Sequence, residues 1–268
     1  MLVLDCLNKS LSQLLSYGMT ICFVCLSCTD GDISKHDNCI LSTIQFDDFN
    51  KLQFTTVSGG QIYYVRQTFT FEGETKTVAF YQFTYFEDSL VIKDQLAQVS
   101  SLTPYISVKF EDEKPIQVVR FFNSSGVKLV HDFDYSQKDR LQVSLTRVAS
   151  NGQSLFAAYA NYHMNSAGNV SRIERFGIDP DDRSVFILNE DRVFSYDDFK
   201  SPVKGYYLPF FTDTNLPDVK FFSTNNVLSI AENNTTARYE YIYDASNNTT
   251  AQIPPSGQPV IFSYLNCP

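Results

Sequence analysis

Alternation of apolar and polar side chains is the feature that most limits how this chain can fold. In LQVSLTR (141–147), the apolar residues Leu141, Val143 and Leu145 are separated by polar ones, and in RYEYIYD (238–244) every second residue is a tyrosine. Successive side chains of a β-strand point to opposite faces of a sheet, so a period of two predicts strands with one buried face. Because this pattern recurs through most of the chain, it predicts an all-β fold.

Short turn signals separate the alternating runs. Asn151-Gly152 is the strongest of them, because both central residues of a type I′ hairpin turn need a positive φ. Only 88–103 (DSLVIKDQLAQVSSLT) is compatible with a helix. We therefore expect a curved antiparallel meander of repeated hairpins, barrel-like or partly closed, with few or no helices after the signal peptide described below. The other turn signals lie at 72–74, 125–126, 167–168, 189–191 and 233–234.

Aromatic residues indicate that parts of the sheet are covered on both faces. The chain has 23 Phe and 16 Tyr, which is ample surface for a hydrophobic core. Adjacent pairs such as Tyr63-Tyr64 and Phe121-Phe122 place one ring on each side of a strand. A second sheet, a sheet that curls over itself or a partner protein would supply the cover.

The amino-terminal segment predicts export and lipid attachment. Residues 10–28 carry no charge, and Lys9 precedes them. Their apolar part is shorter than the roughly 20 residues that span a bilayer, and such a segment is typical of a secretory signal peptide. Leu26-Ser27-Cys28 resembles the end of a bacterial lipobox, although a cysteine, Cys25, stands where an aliphatic residue is usual. We predict a signal peptide over 1–27 and lipid attachment at Cys28; a buried amino-terminal helix and an uncleaved anchor are the alternatives.

The remaining cysteines suggest a link between the two ends of the mature chain. Residues 28–45 are interpreted as a polar tether, and residues 46–268 as a single β-meander domain. Once the signal peptide is removed and Cys28 is lipidated, Cys39 and Cys267 remain. In an oxidising compartment these two could form a disulfide. The alternative is two separate free thiols.

One sequence theme is repeated. FFNSSGVKLV (121–130) and YHMNSAGNVSRI (162–173) each run from aromatic residues through a polar turn into an aliphatic strand, and YDASNNTTAQI (243–253) is a looser copy. Repeats of this kind indicate one hairpin unit that is used several times, each burying a face against its neighbours.

The repeated theme resembles degenerate YD repeats, which are also called RHS-like repeats. Together with the lipobox, it makes the chain similar to lipoproteins of unknown function from the Bacteroides group, over roughly residues 110–255. In those proteins a segment like YDDFKSPVKGYYLPFF (196–211) is followed by an Asn-Asn-Val strand like NNVLSI (225–230). The resemblance implies a curved, barrel-like β-meander and no established activity.

No motif in the sequence indicates catalysis, a metal site or a cofactor. His36, His131 and His163 lie far apart and lack the spacing of metal ligands. The chain has no GxSxG, GxGxxG or Walker sequence. The acidic stretches Asp179-Pro180-Asp181-Asp182 and Asp197-Asp198 could bind calcium, but turn chemistry explains them better. We therefore expect a protein that is not an enzyme.

Charge and targeting together give the expected location and partners. The net charge of −9 and the isoelectric point of about 4.8 argue against a nucleic-acid partner. We expect a lipid-anchored protein of the bacterial cell envelope, held at the outer membrane through its amino-terminal lipid. Its role would be non-enzymatic binding or structural support, with an envelope protein or a glycan as the partner. A glycan-binding or glycan-processing accessory protein is the alternative, and a membrane-spanning β-barrel is a weaker third candidate.

Overall fold

The structure is a computed structural model that describes residues 39–57, 61–96, 101–122, 125–204 and 216–265. Within these ranges the chain forms one 17-stranded sheet, accompanied by one short 3-10 turn at Val219–Phe221. The predicted all-β class is therefore confirmed. No helix of the described residues has the length and apolarity needed to cross a membrane.

The strands follow one another along the chain with short connections. They are β1 (Ile40–Gln45), β2 (Asn50–Thr56), β3 (Ile62–Phe71), β4 (Glu74–Tyr85), β5 (Ser89–Leu96), β6 (Thr103–Glu111), β7 (Lys114–Phe122), β8 (Val127–Gln137), β9 (Arg140–Val148), β10 (Ser154–Met164), β11 (Val170–Ile178), β12 (Phe186–Lys200), β13 (Asn225–Glu232), β14 (Thr235–Arg238), β15 (Glu240–Tyr243), β16 (Thr249–Ile253) and β17 (Val260–Leu265).

The sheet is an antiparallel meander that is nearly closed. Each strand from β1 to β13 pairs with the next, β15 pairs with β16, and β16 pairs with β17. Tyr239 separates β14 from β15 and donates its N–H to the Leu228 carbonyl at 2.8 Å. β1 also pairs with β17, with Ile40 opposite Leu265, so the first and last strands lie side by side. The expected curved, barrel-like meander is confirmed.

The apolar positions of the alternating strands form the core. Ile92 lies opposite Ile106, and Val108 lies opposite Val118, and all four are fully buried at 0% exposure. Burying an aliphatic side chain of this size contributes about 1.5–3 kcal/mol to stability. The alternation recognised in the sequence therefore explains which face of the sheet points inward.

Five of the six predicted turn signals lie in turns. The Asn151-Gly152 turn has Gly152 at a φ of 83°, and the Asn233-Asn234 turn uses φ values of 47° and 63°. The turn predicted at 189–191 was wrong, because this stretch lies inside β12. Asn189 is the extra residue of a β-bulge in the pairing of β12 with β11. Its side-chain amide lies where a Cβ on residue 177 would be, so a larger residue there would displace the Asn189 side chain.

The structure corrects two further sequence interpretations in the amino-terminal half of the chain. The helix considered for 88–103 was wrong: the segment contains β5 and the start of β6, in which Ile92 is fully buried. β1 begins at Ile40, so the last six residues of the predicted tether, 40–45, are part of the sheet.

Candidate functional site

A half-open groove lies over β1–β4 on the outer face of the sheet, opposite the core. Its volume is about 610 Å³, within the range of about 300–1,000 Å³ that is usual for small-molecule sites. The strand register places Gln53 between Thr43 and Arg66, and Arg66 opposite Phe80. The groove is lined by Ser42, Thr43, Gln53, Phe54, Thr55, Tyr64, Arg66, Phe80 and Leu265.

Alternation in β2 and β3 explains why polar side chains face this groove. In β2, Leu52 and Phe54 are buried, and Gln53 between them is exposed. In β3, Val65 is fully buried, which turns Tyr64 and Arg66 to the opposite face. The core therefore fixes the backbone of two neighbouring strands and sets these polar side chains at defined positions.

Arg66 is the charged residue of the groove lining. Its guanidinium carbon lies 5.3 Å from the centroid of the Phe80 ring, which is a cation–π contact worth about 0.5–1 kcal/mol at an exposed site. None of the ion pairs between described residues includes Arg66. The stack leaves the edge of the guanidinium, with its N–H donors, without a carboxylate partner in the described part of the chain.

Tyr64 adds an aromatic ring and a hydroxyl to the groove. Its ring packs edge-on against the Tyr63 ring, with the two centroids 4.2 Å apart. The prediction that this pair places one ring on each side of the strand was therefore wrong. A hydrogen bond with the Tyr63 hydroxyl raises the pKa of Tyr64, so this phenol remains protonated at neutral pH. Together with the amide of Gln53 and the hydroxyls of Thr43 and Thr55, it offers both hydrogen-bond donors and acceptors.

A second polar cluster lies on the core side of β11–β13. Glu190 bridges Arg175 and Arg192, each at 3.0 Å, and Arg192 also contacts Glu232 at 2.8 Å. The cavity beside this cluster has a volume of only about 80 Å³. Because the charges satisfy one another and the space suits a few water molecules at most, we interpret the cluster as structural.

An aromatic cluster lies on the outer face of β10–β12. Tyr159 stacks on Phe176 at 4.6 Å with an angle of 9° between the rings, and Phe186 lies 5.5 Å from Tyr159. Phe156 completes the cluster. The faces of these rings pack against each other, so the cluster is less suited than the groove to stack on a ligand.

The YDDF segment and the Asn-Asn-Val strand meet in a buried polar network. Asp197 accepts hydrogen bonds from the backbone N–H of Asn226 at 3.1 Å, from its side-chain amide at 3.0 Å, and from the Tyr243 hydroxyl. The same Asn226 amide donates to Thr249 at 3.0 Å. Asn226 is 3% exposed and Thr249 is 1% exposed. Burial and the Asp197 carboxylate raise the pKa of Tyr243, which keeps its hydroxyl as a donor.

A neighbouring set of hydrogen bonds joins the same two segments. Asn169 and Asn225 exchange two hydrogen bonds at 2.8 and 2.9 Å. Ser223 donates to the Tyr196 hydroxyl at 2.9 Å, and Tyr196 donates to the Val170 carbonyl at 2.7 Å. These side chains fix the connection between β12 and β13 to β11, so the family-like motif has a structural role here.

The structure describes one of the three cysteines predicted as functional sites. Cys39 is disulfide-bonded and lies directly before β1. Cys28, the predicted lipid attachment site, and Cys267, the predicted disulfide partner, lie outside the described residues. Lipid attachment and the Cys39–Cys267 pairing therefore stay predictions.

The aspartates of residues 179–182, considered for calcium binding, make turn contacts, and His36 lies outside the described residues. Among the described residues, no group of three or more His, Cys, Asp or Glu could hold a metal ion. Asp179 accepts the backbone N–H of Asp181 at 2.8 Å, and Asp182 accepts that of Ser184 at 2.9 Å. These are turn contacts, as the sequence interpretation favoured. His163 is hydrogen-bonded to Glu174 at 2.8 Å.

Comparisons with known proteins give structural relatives only. The chain matches no protein-family model and no curated protein. It is similar to the crystal structure of a porin-like protein from Bacteroides uniformis, with 13% identity, a TM-score of 0.53, and coverage of 84% of this chain and 98% of the other. A porin-like protein from Bacteroides vulgatus is similar with 13% identity, a TM-score of 0.55, and coverage of 85% and 99%. The chain shares their fold.

Sequence reasoning did not identify the groove. Its lining comes from four strands of the first hairpins and from Leu265 in β17, and these are brought together only by the pairing of β1 with β17. The available signal was local: Arg66 lies at an outward position of a strand whose neighbouring residue, Val65, is apolar. Such a signal predicts an exposed arginine and does not predict a concave surface around it.

Proposed function

We propose that this chain is a lipid-anchored, non-enzymatic binding protein of the bacterial cell envelope, and that the groove over β1–β4 holds its ligand. The observation that carries the proposal is the groove itself, which combines a rigid sheet with Arg66, three aromatic residues and several neutral hydrogen-bonding groups. Sites on rigid strands keep their side chains in place before a ligand arrives, which favours affinity.

The chemistry of the groove favours binding over catalysis. The described lining contains hydroxyl, amide, guanidinium and aromatic groups. Nucleophilic catalysis needs a nucleophile with an adjacent base, and glycoside hydrolysis needs two facing carboxylates. Ser42 donates instead to the Ser263 carbonyl at 2.9 Å, which gives its hydroxyl a structural partner.

Placement in the envelope rests on the signal-like segment that ends at Cys28. The fold is similar to that of two Bacteroides proteins, and the sequence has a lipobox-like end at Cys28 that is followed by a polar segment. An acylated cysteine would hold the protein at the membrane, because each buried CH₂ group contributes about 0.8 kcal/mol.

The porin-like description of the structural relatives suggests a second function, a membrane pore. A pore-forming barrel presents an apolar band to lipid. On the outer face of β11 and β12, Arg172 forms a two-pronged ion pair with Asp191, at 2.8 and 2.7 Å. These charged groups are about two-fifths exposed, and lipid would not solvate them. We therefore favour a lipid-anchored binding protein over a pore.

Anchoring is tested by labelling cells that express the full chain with radioactive palmitate. We expect the wild-type protein to be labelled and Cys28→Ala to lose both the label and its membrane association. Cys22→Ala is the matched control, because it removes a cysteine of the predicted signal peptide that lies outside the lipobox, and it should be labelled like the wild type. Unchanged labelling of Cys28→Ala would refute the anchor.

A further inference from the structure

We propose that the groove over β1–β4 recognises a saccharide that carries a carboxylate, such as a uronic acid, and that Arg66 binds the carboxylate. This inference rests on the proposed binding function of the groove and names the chemical class of its ligand. Phe80, on which Arg66 stacks, acts as a positioning residue, and Gln53, Thr43 and Tyr64 bind the neutral hydroxyls of the sugar.

The first argument comes from Arg66. A guanidinium stacked on an aromatic ring is fixed in its plane, and its edge presents parallel N–H donors that match the two oxygens of a carboxylate. The guanidinium carbon of Arg66 lies over the Phe80 ring, 5.3 Å from its centroid, and this cation–π contact holds the side chain at the groove. Its edge lines the groove and has no carboxylate partner among the described residues.

The second argument comes from charge. The chain has a net charge of −9, so its surface repels anions in general. The described side chains that line the groove contain one charged group, and it is the cation Arg66. A single arginine among neutral groups, within a protein of net negative charge, favours an anionic group at one position of the groove.

The third argument comes from the neutral lining. A sugar ring presents several hydroxyl groups, each of which donates and accepts hydrogen bonds. Across the strands, Thr43, Gln53 and Arg66 form one row, and Thr55 and Tyr64 form the next. Hydroxyl and amide groups in two adjacent rows can satisfy such a ring, whereas an apolar ligand would leave them unpaired at a cost.

The test measures binding of the full chain, purified in detergent, to tetrasaccharides of galacturonate and of mannuronate by isothermal titration. The same oligosaccharides with their carboxylates chemically reduced to alcohols serve as neutral counterparts of equal shape. We expect at least one uronate probe to bind, and its reduced counterpart to bind about ten- to a hundredfold more weakly, as loss of a charged hydrogen bond predicts.

Three variants assign the effect to the groove. Arg66→Gln should weaken uronate binding by a similar factor and leave binding of the reduced probe unchanged. The uronate affinity of Arg66→Lys should lie between those of the wild type and Arg66→Gln, because lysine keeps the positive charge but lacks the planar, two-pronged guanidinium. Lys109→Gln, which removes an exposed cation of β6 outside the groove lining, is the matched control and should bind like the wild type. Equal thermal stability of the variants excludes unfolding as the cause.

The outcomes separate this inference from the proposed function. If reduced and uronate probes bind equally well, and Thr43→Trp in the groove abolishes both, the groove is a saccharide site and the carboxylate inference is overturned. If Arg66→Gln and the wild type bind the uronate equally, Arg66 is not its ligand and the inference is likewise overturned. If no probe binds the wild type, the uronate inference is overturned, whereas the proposed function, which names no class of ligand, is not.

Discussion

At the scale of single residues, Asp47 shows how one side chain sets a hairpin beside the groove. It lies in the turn between β1 and β2, where one carboxylate oxygen accepts the backbone N–H of Phe49 at 2.7 Å and of Asn50 at 2.6 Å. The other oxygen accepts the side-chain amide of Asn50 at 2.8 Å. Aspartate favours turns because it can satisfy backbone donors in this way. The turn therefore fixes how β1 and β2 enter the sheet.

We expect Asp47→Asn to lower the free energy of unfolding at neutral pH by about 1 kcal/mol, because a neutral amide accepts these hydrogen bonds more weakly. The hydrogen bond from the Asn50 side chain, assisted by the two backbone N–H groups, lowers the pKa of Asp47 from its ordinary value of 3.8. Its stabilising contribution is therefore complete above that value and is lost as the pH falls through the folded-state pKa.

Thermal unfolding of wild type and Asp47→Asn between about pH 7 and about pH 3 checks this expectation. The difference in Tm should shrink as the solution becomes acidic. Asp48→Asn is the matched control, since it neutralises the adjacent, exposed carboxylate, and it should leave Tm nearly unchanged. A Tm difference that stays constant over the whole range would contradict the assignment to the Asp47 carboxylate.

At the scale of elements, the buried network around Asn226 holds the β12–β13 connection in place. The side-chain amide of Asn226 donates hydrogen bonds to both Asp197 and Thr249, each at 3.0 Å. Nearby, the fully buried Tyr162 donates its hydroxyl to the Pro217 carbonyl at 2.7 Å. The Asn226 contacts attach β13 to β12 and β16, and the Tyr162 contact attaches Pro217, which precedes β13, to β10. Removal of these contacts should therefore loosen this connection.

We expect Asn226→Ala to lower the free energy of unfolding by about 1–3 kcal/mol, because it leaves buried polar groups without partners. Urea unfolding followed by tyrosine fluorescence measures the change. Gln117→Ala is a suitable control: Gln117 also donates an amide hydrogen bond to a carboxylate, Asp132, at 2.8 Å, but on an exposed surface. An equal loss in both variants would show that burial does not set the cost.

The sequence predicted elements where a local pattern decides the structure. The alternation of apolar and polar residues correctly predicted β9 and the tyrosine-rich strands β14 and β15. Five of the six turn signals correctly predicted turns. The stretch 189–191 was misread because its polar residues are satisfied by β11: Arg175 pairs with Glu190, and Asn189 fills the space above Gly177. Asp112 and Glu113 form a turn with φ values of 48° and 62° that lacks the Gly or Asn of a standard signal.

The groove could not be predicted from the sequence, for a different reason. Its shape depends on which strands become neighbours, and no local pattern records that β17 lies next to β1. Alternation predicts that Gln53 and Arg66 face away from the core, but only the register shows that they lie opposite each other. A binding surface on a sheet is thus a property of strand order as well as of residue type.

At the scale of the whole molecule, the pairing of β1 with β17 joins the two ends of the sheet. Ile40 lies opposite Leu265, and Cys39, the residue before Ile40, is disulfide-bonded. We predict Cys267 as its partner, since it follows Leu265 by two residues in the sequence. A disulfide that closes so long a loop would stabilise the fold by about 4–5 kcal/mol in the chain-entropy model.

Peptide mapping without reduction checks the partner directly, and we expect one peptide that links Cys39 to Cys267. Dithiothreitol should lower the Tm of the wild type to that of Cys39→Ser, and it should not change the Tm of Cys39→Ser or of Cys267→Ser. Recovery of Cys39 in a link to another cysteine, or a Tm of the wild type that ignores the reductant, would refute the pairing.

The pairing of β1 with β17 also determines when this protein can complete its folding. Middle hairpins such as β8–β9 are local and can form early, but β1 must wait for the last strand before its second edge is hydrogen-bonded. Contacts of such long range are slow to form. A newly made chain therefore cannot complete the hydrogen bonding of its sheet until its carboxyl-terminal strand has been synthesised.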